Sequence, residues 1–252
     1  MMKVLTGLLF GTLVSASFST LSAPESYGIL FLDRSGSMLI KRPDNQSRCA
    51  FSKQQAISKM SKFFLDSSIN GQELNIKTFA SGGQIQSITN GFVDFSSAFM
   101  ALSQPDGEGC SGMTALAEAM CDGADELRLN YAAEASQGAI LRVYGSTDGD
   151  ENHSPVSNCG GSGWQAEVAN KYLYEQPPVQ FNATIYTGTV QSIANLNNKM
   201  DAAIAKDLPA YALAPKHYAQ SLPTFDFLKK LAAQTGGTVE EVSDNDGNPG
   251  EW

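Results

Sequence analysis

Apolar residues fall into two rhythms along this chain. Ile29 to Leu32 is an unbroken apolar run that ends at Asp33. Having no polar alternation, it suits a strand buried on both faces of a parallel sheet. Ala56, Met60, Phe63 and Phe64 recur at helical spacing and predict a helix over 50–65, closed by Asn70-Gly71. Residues 73–79 alternate as a strand, and Gly82-Gly83 turns the chain into a second strand over 84–88. A short helix is expected over 96–102. Leu116, Met120, Ala124, Leu127 and Tyr131 then line one face of a helix that opens at Met113. Strands are expected over 139–144 and 179–186, with a helix over 164–174 between them. Helices follow over 193–206 and 225–234, and Gly236-Gly237 leads into a last strand over 238–242. Asp244 onward reads as a polar, frayed tail. Strands alternating with helices around one hairpin predict an α/β fold with a mostly parallel sheet and helices on both faces.

The first 23 residues read differently. Lys3 is followed by the apolar stretch 4–14 and by Leu21-Ser22-Ala23 ahead of Pro24, the pattern of a secretion signal cleaved after Ala23. That stretch is too short to span a bilayer, and no later segment is apolar enough for a transmembrane anchor. The expected product is one domain over 24–243 with a tail over 244–252, exported to a periplasm or secreted. The leader holds one lysine and no acid, so 16 basic residues then face 26 acidic ones. This balance argues against nucleic acid as a partner, because phosphates require a basic face.

Four cysteines, Cys49, Cys110, Cys121 and Cys159, lie beyond the leader. An even count in an exported chain predicts two disulfides, with three connectivities open. There is no C-x-x-C spacing, which argues against a zinc site.

The candidate chemistry begins where the first strand ends. Asp33, Ser35 and Ser37 stand at alternate positions, with Gly36 giving the turn its freedom. In open α/β sheets ligands gather at that carboxyl edge. Oxygen donors of this kind suit a hard divalent cation such as magnesium or manganese. Two later segments share this character: Gly112-Met113-Thr114-Ala115-Leu116 and Thr147-Asp148-Gly149.

Together, D-x-S-x-S, G-x-T-x-L and T-D-G resemble the metal-ion-dependent adhesion site of von Willebrand factor type A domains. The ending Leu228 to Gly237 also resembles that family, and the likeness covers about 26–243. It implies a Rossmann-like doubly wound sheet, mostly parallel with one antiparallel edge strand and with helices on both faces. It implies that Ser35, Ser37 and Thr114 bind a divalent cation directly, with Asp33 and Asp148 binding directly or through water. Magnesium is the first expectation, manganese or calcium the alternatives. A site poor in direct carboxylates leaves the cation free to take a carboxylate from a partner protein. Gly145 and Ser146 depart from the aliphatic end usual for the family's strand before T-D-G.

Other readings have less behind them. Asp148, Asp150 and Asn152 start like a calcium loop, but His153 stands where glycine is needed. Asp244, Asp246 and Asn248 fail in the same way. No G-x-S-x-G elbow accompanies His153 or His217, the two histidines. An enzyme using the metal as Lewis acid would require a base such as Asp150 or Glu151. The expectation is therefore a binding module without catalysis. The alternative is a structural or assembly component of a cell-surface or secretion system, with a non-essential metal site. Asn45, Asn152 and Asn182 begin N-x-S/T sequons.

Overall fold

A computed structural model describes residues 24–104, 109–187 and 222–245. Six strands form one sheet in the order β3-β2-β1-β4-β5-β6. They are β1 (Ser26–Asp33), β2 (Gln72–Phe79), β3 (Gln86–Ser87), β4 (Ile140–Thr147), β5 (Val179–Thr187) and β6 (Val239–Ser243). All neighbours pair in parallel except β2 and β3. This is the expected doubly wound sheet with one antiparallel edge strand, and β1 lies inside it, between β2 and β4.

Five helices are described: α1 (Arg48–Phe64), α2 (Phe95–Ser103), α3 (Leu116–Ser136), α4 (Trp164–Tyr174) and α5 (Thr224–Thr235). Alternation along β1 divides the core between the two faces. Ile29 and Phe31 pack with Leu127, Val168 and Leu228 beneath α3, α4 and α5. Leu30 and Leu32 pack with Met60, Phe63 and Leu102 beneath α1 and α2. On this second face, polar residues of β4 to β6 line an open groove of about 380 Å³ beside α1, among them Arg142, Asn182 and Glu240.

Several elements differ from their predicted extents. The strand predicted over 84–88 shortens to two residues, and side chains supplement its pairing: Ser87 and Thr89 both donate to Asn75 Oδ1. β4 runs on to Thr147, so Gly145 and Ser146 are strand residues. A Cβ at Gly145 would lie 3.3 Å from the Phe181 ring, so an aromatic from β5 occupies the space an aliphatic would take. The helix predicted to open at Met113 begins instead at Leu116. The predicted helix over 193–206, the leader and the tail beyond Asn245 lie outside the described residues. Among the described residues, no helix is long and apolar enough to cross a membrane.

Both expected disulfides are present, as Cys49–Cys110 and Cys121–Cys159. The first joins the start of α1 to the loop before α3. The second joins α3 to the loop after β4. A small cluster beside the first, Met38, Phe51, Tyr186 and Val242, packs under the turn that follows β1.

Candidate functional site

The carboxyl edge of the sheet brings the five predicted residues together. Asp33, the last residue of β1, is fully buried. Its Oδ1 accepts from the Ser35 amide at 2.7 Å, and its Oδ2 accepts from Thr147 Oγ1 at 2.6 Å. Residues 36–39 make a single tight turn after it, which returns Ser37 beside Ser35, with their hydroxyl oxygens 3.0 Å apart. Ser37 Oγ in turn donates to Asp148 Oδ1 at 2.6 Å.

Thr114 arrives from a loop zipped onto the first. Gly36 N donates to Gly112 O and Ser111 N to Arg34 O, at 3.0 and 2.7 Å. Gly112 has φ of +85°, and a Cβ there would lie 2.7 Å from Ser81 Oγ, so both backbone and space favour glycine. Thr114 is pinned on both sides: its amide donates to Asn152 Oδ1 at 2.8 Å, and its carbonyl accepts from the Asn152 amide at 3.0 Å. A carbon placed on Gly149 Cα would lie 3.4 Å from Thr114 Oγ1 and 3.5 Å from Ser37 Oγ. Gly149 thus borders the same small volume as both hydroxyls.

The start of α3 shows why Thr114 stays outside the helix. Ala115 offers no capping side chain, and the open amides of a first turn need acceptors. Glu151 Oε2 accepts from Ala117 N at 2.7 Å, and Ser154 Oγ accepts from Glu118 N at 2.9 Å. Glu151 also accepts from the His153 and Ser154 amides and from the Ser154 hydroxyl. A carboxylate so fully engaged is a cap for α3. His153 is exposed, and its Nδ1 accepts from Gly82 N at 3.0 Å.

Two residues that sequence reading missed stand behind Asp148. The Arg48 side chain is only 7% exposed, and its Nη1 donates to Asp148 Oδ2 at 2.8 Å. Its Nε and Nη2 grip the two oxygens of Asp244 at 2.8 and 2.6 Å. Burial works against the guanidinium charge, and the bonds to Asp244 and Asp148 outweigh it, so its pKa rises. Asp244, predicted as the first tail residue, is instead buried, and its amide donates to Thr187 O at 3.1 Å. Arg42 adds a bond from Nη1 to the neighbouring Ser243 carbonyl. No local pattern marks such pairs, because their members lie about two hundred residues apart.

The electrostatics favour a cation. Burial is the largest influence on Asp33 and pushes its carboxyl up to about 6; nearby Asp148 adds to the rise, and the bonds from Thr147 and Ser35 oppose it. Among the described residues, no cluster of three or more His, Cys, Asp or Glu is placed to hold a metal. The donors at this edge are three hydroxyls and two carboxylates, all oxygen, a set that fits a hard divalent ion.

No family model matches the chain, and no curated protein matches it by sequence. Solved structures resemble it at low identity. An aerotolerance-related membrane protein from Bacteroides fragilis aligns at 17% identity and TM-score 0.49, over 90% of this chain and 94% of that one. Proximal thread matrix protein 1 from the mussel byssus, with a zinc-occupied MIDAS motif, aligns at 16% identity and TM-score 0.48, over 89% of this chain and 43% of that one. The manganese-loaded TRAP protein of Plasmodium vivax aligns at 18% identity and TM-score 0.45, over 75% and 66%. The chain thus spans nearly all of the first structure and less than half of the second.

Proposed function

We propose that this chain is an exported interaction module that binds a divalent cation through Asp33, Ser35, Ser37, Thr114 and Asp148 and captures a carboxylate of a partner protein. The observation that supports this reading is the hydrogen-bonded chain from Ser35 through Ser37 to Asp148 at the sheet edge, with Asp33 bonded to the Ser35 amide and Gly149 bordering the Ser37 and Thr114 hydroxyls. The hydroxyls of Ser35, Ser37 and Thr114 supply neutral donors. Asp33 and Asp148 supply charge, each held by other protein groups. A bound cation would supply an electrophilic centre for an anionic oxygen. Magnesium is the first candidate, since it keeps an open or water-filled position more readily than it accepts a full protein cage.

One further feature supports a partner surface. Leu39, Ile40 and Met113, next in sequence to the site loops, are exposed apolar residues. Glu151, a candidate base for an enzyme reading, is occupied in capping α3. The disulfides and the secretion-type leader support an oxidising compartment.

Calorimetric titration with magnesium and with manganese tests the site. Saturable binding that is lost in Asp33→Ala supports it, and equal affinity in both proteins refutes it. Capture of a partner from the native exported fraction with magnesium, and its release by chelator, separates an adhesion module from an assembly component whose metal site is non-essential.

A further inference from the structure

Two carboxylates and one guanidinium meet behind the site. Arg48 spends three of its five N–H groups on two acids, gripping Asp244 with a fork and Asp148 with one arm. A planar guanidinium does this and an ammonium does not, because the fork fixes the direction of the third bond. Alone, Arg48 would cancel the charge of Asp148. With Asp244 present, Asp33, Asp148, Asp244 and Arg48 together carry two net negative charges, which matches a divalent ion. Arg48 also fixes which oxygen of Asp148 faces the site: Oδ2 is taken by the guanidinium, and Oδ1 accepts from Ser37.

We infer that Asp244, acting through Arg48, positions Asp148 and sets the cation affinity of a site that it does not itself line. The inference rests on the metal reading proposed above. Asp244 and Arg48 are positioning residues, joined to the site by a buried chain of hydrogen bonds. In Asp244→Asn the full Arg48 charge falls on Asp148, and a cation is bound less well. Linkage makes the effect reciprocal: a cation that draws on Asp148 tightens the hold of Arg48 on the end of β6. Low dielectric strengthens such interactions, since both partners of the clasp are almost wholly buried.

The test is calorimetric titration of magnesium and manganese into the full chain. The variants are wild type, Asp244→Asn, Arg48→Gln and the double variant, with thermal unfolding measured alongside. Asp244→Asn is expected to weaken cation binding by about fivefold or more, the scale of an ordinary coupling between sites. In the Arg48→Gln background the same change should have little effect, because the connection is already cut. Glu240→Gln, which removes the ion pair of Glu240 on β6 with Lys59 on α1, should leave affinity unchanged. A merely structural role for Asp244 would lower the melting temperature and leave affinity as in wild type, and that result overturns the inference. An equal loss in both backgrounds also overturns it. Should Asp244→Asn not fold, hydrogen exchange of wild type decides. Magnesium must slow exchange at Val242 to Asp244 more than at Gln86 and Ser87, and equal slowing refutes the coupling. If wild type binds no cation, the site reading itself falls and takes this inference with it.

Discussion

Ser37 Oγ lies 2.6 Å from Asp148 Oδ1, a bond between residues 111 positions apart. It closes the site across the sheet edge, from the turn after β1 to the end of β4. The Ser37 hydroxyl that would face a cation is therefore already oriented by a carboxylate, and Ser35 Oγ lies 3.0 Å from it.

Metal should stabilise the fold by mass action, by about 2.7 kcal/mol at a cation concentration one hundred times the dissociation constant. Thermal unfolding with and without magnesium measures this gain. Asp33→Ala should abolish it, and Ser35→Ala and Thr114→Ala should diminish it. His153→Ala should leave it as in wild type. An unchanged gain in Asp33→Ala would refute the five-residue site.

The metal-free protein should lose stability as pH rises from about 4 to about 6. Asp33 is raised by burial, so in this window the folded state binds the proton that the unfolded state releases. The contribution is fully present below the unfolded value and is lost as pH climbs through the folded one, on the order of 3 kcal/mol. Cation affinity should run the opposite way and fall as pH drops below about 6, because proton and cation compete for one carboxylate. Denaturant midpoints of wild type and Asp33→Asn against pH, with chelator present, isolate the first effect. Parallel curves would show that Asp33 is not its source.

Glu151→Ala should uncap α3. Loss of a capping acceptor costs about 0.5–2 kcal/mol, and here several amides lose their partner together. The variant should unfold at lower denaturant concentration and should bind cation more weakly, because Thr114 sits just before the uncapped turn. Glu151→Gln retains an acceptor oxygen and should recover part of both. An undiminished midpoint in Glu151→Ala would show that the cap is dispensable.

Gly145→Val should destabilise by about 1–3 kcal/mol through overpacking against Phe181. Pairing it with Phe181→Leu, which frees the space, should restore part of the loss. A double variant no better than the sum of the singles would argue against that contact as the cause.

Most of the fold was legible because each buried strand or amphipathic helix leaves a local rhythm. The helix over 164–174 was read to the residue, and β1, α1 and β5 to within three. β3 was overread, since the Gly82-Gly83 turn suggested a longer return strand and only Lys77 and Thr78 of β2 pair with it in register. The start of α3 was misplaced because the amides of its first turn are capped by Glu151 and Ser154, more than thirty residues away. The three site loops were legible as spaced oxygen donors beside glycines. Arg48 and Asp244 were not. One stood just ahead of the predicted helix over 50–65 and the other in the predicted tail, and only the folded chain places their opposite charges together in the interior.

The pattern of cross-links has a consequence for survival among proteases. Cys49–Cys110 encloses the stretch between the first site loop and the second, and Cys121–Cys159 encloses the third. A single backbone cut anywhere between Cys49 and Cys110, or between Cys121 and Cys159, leaves one covalent molecule. Asp33, Ser35, Ser37, Thr114 and Asp148 all remain aboard it. A nicked copy can therefore keep every group of its sheet edge, and wear in the surface loops need not scatter them.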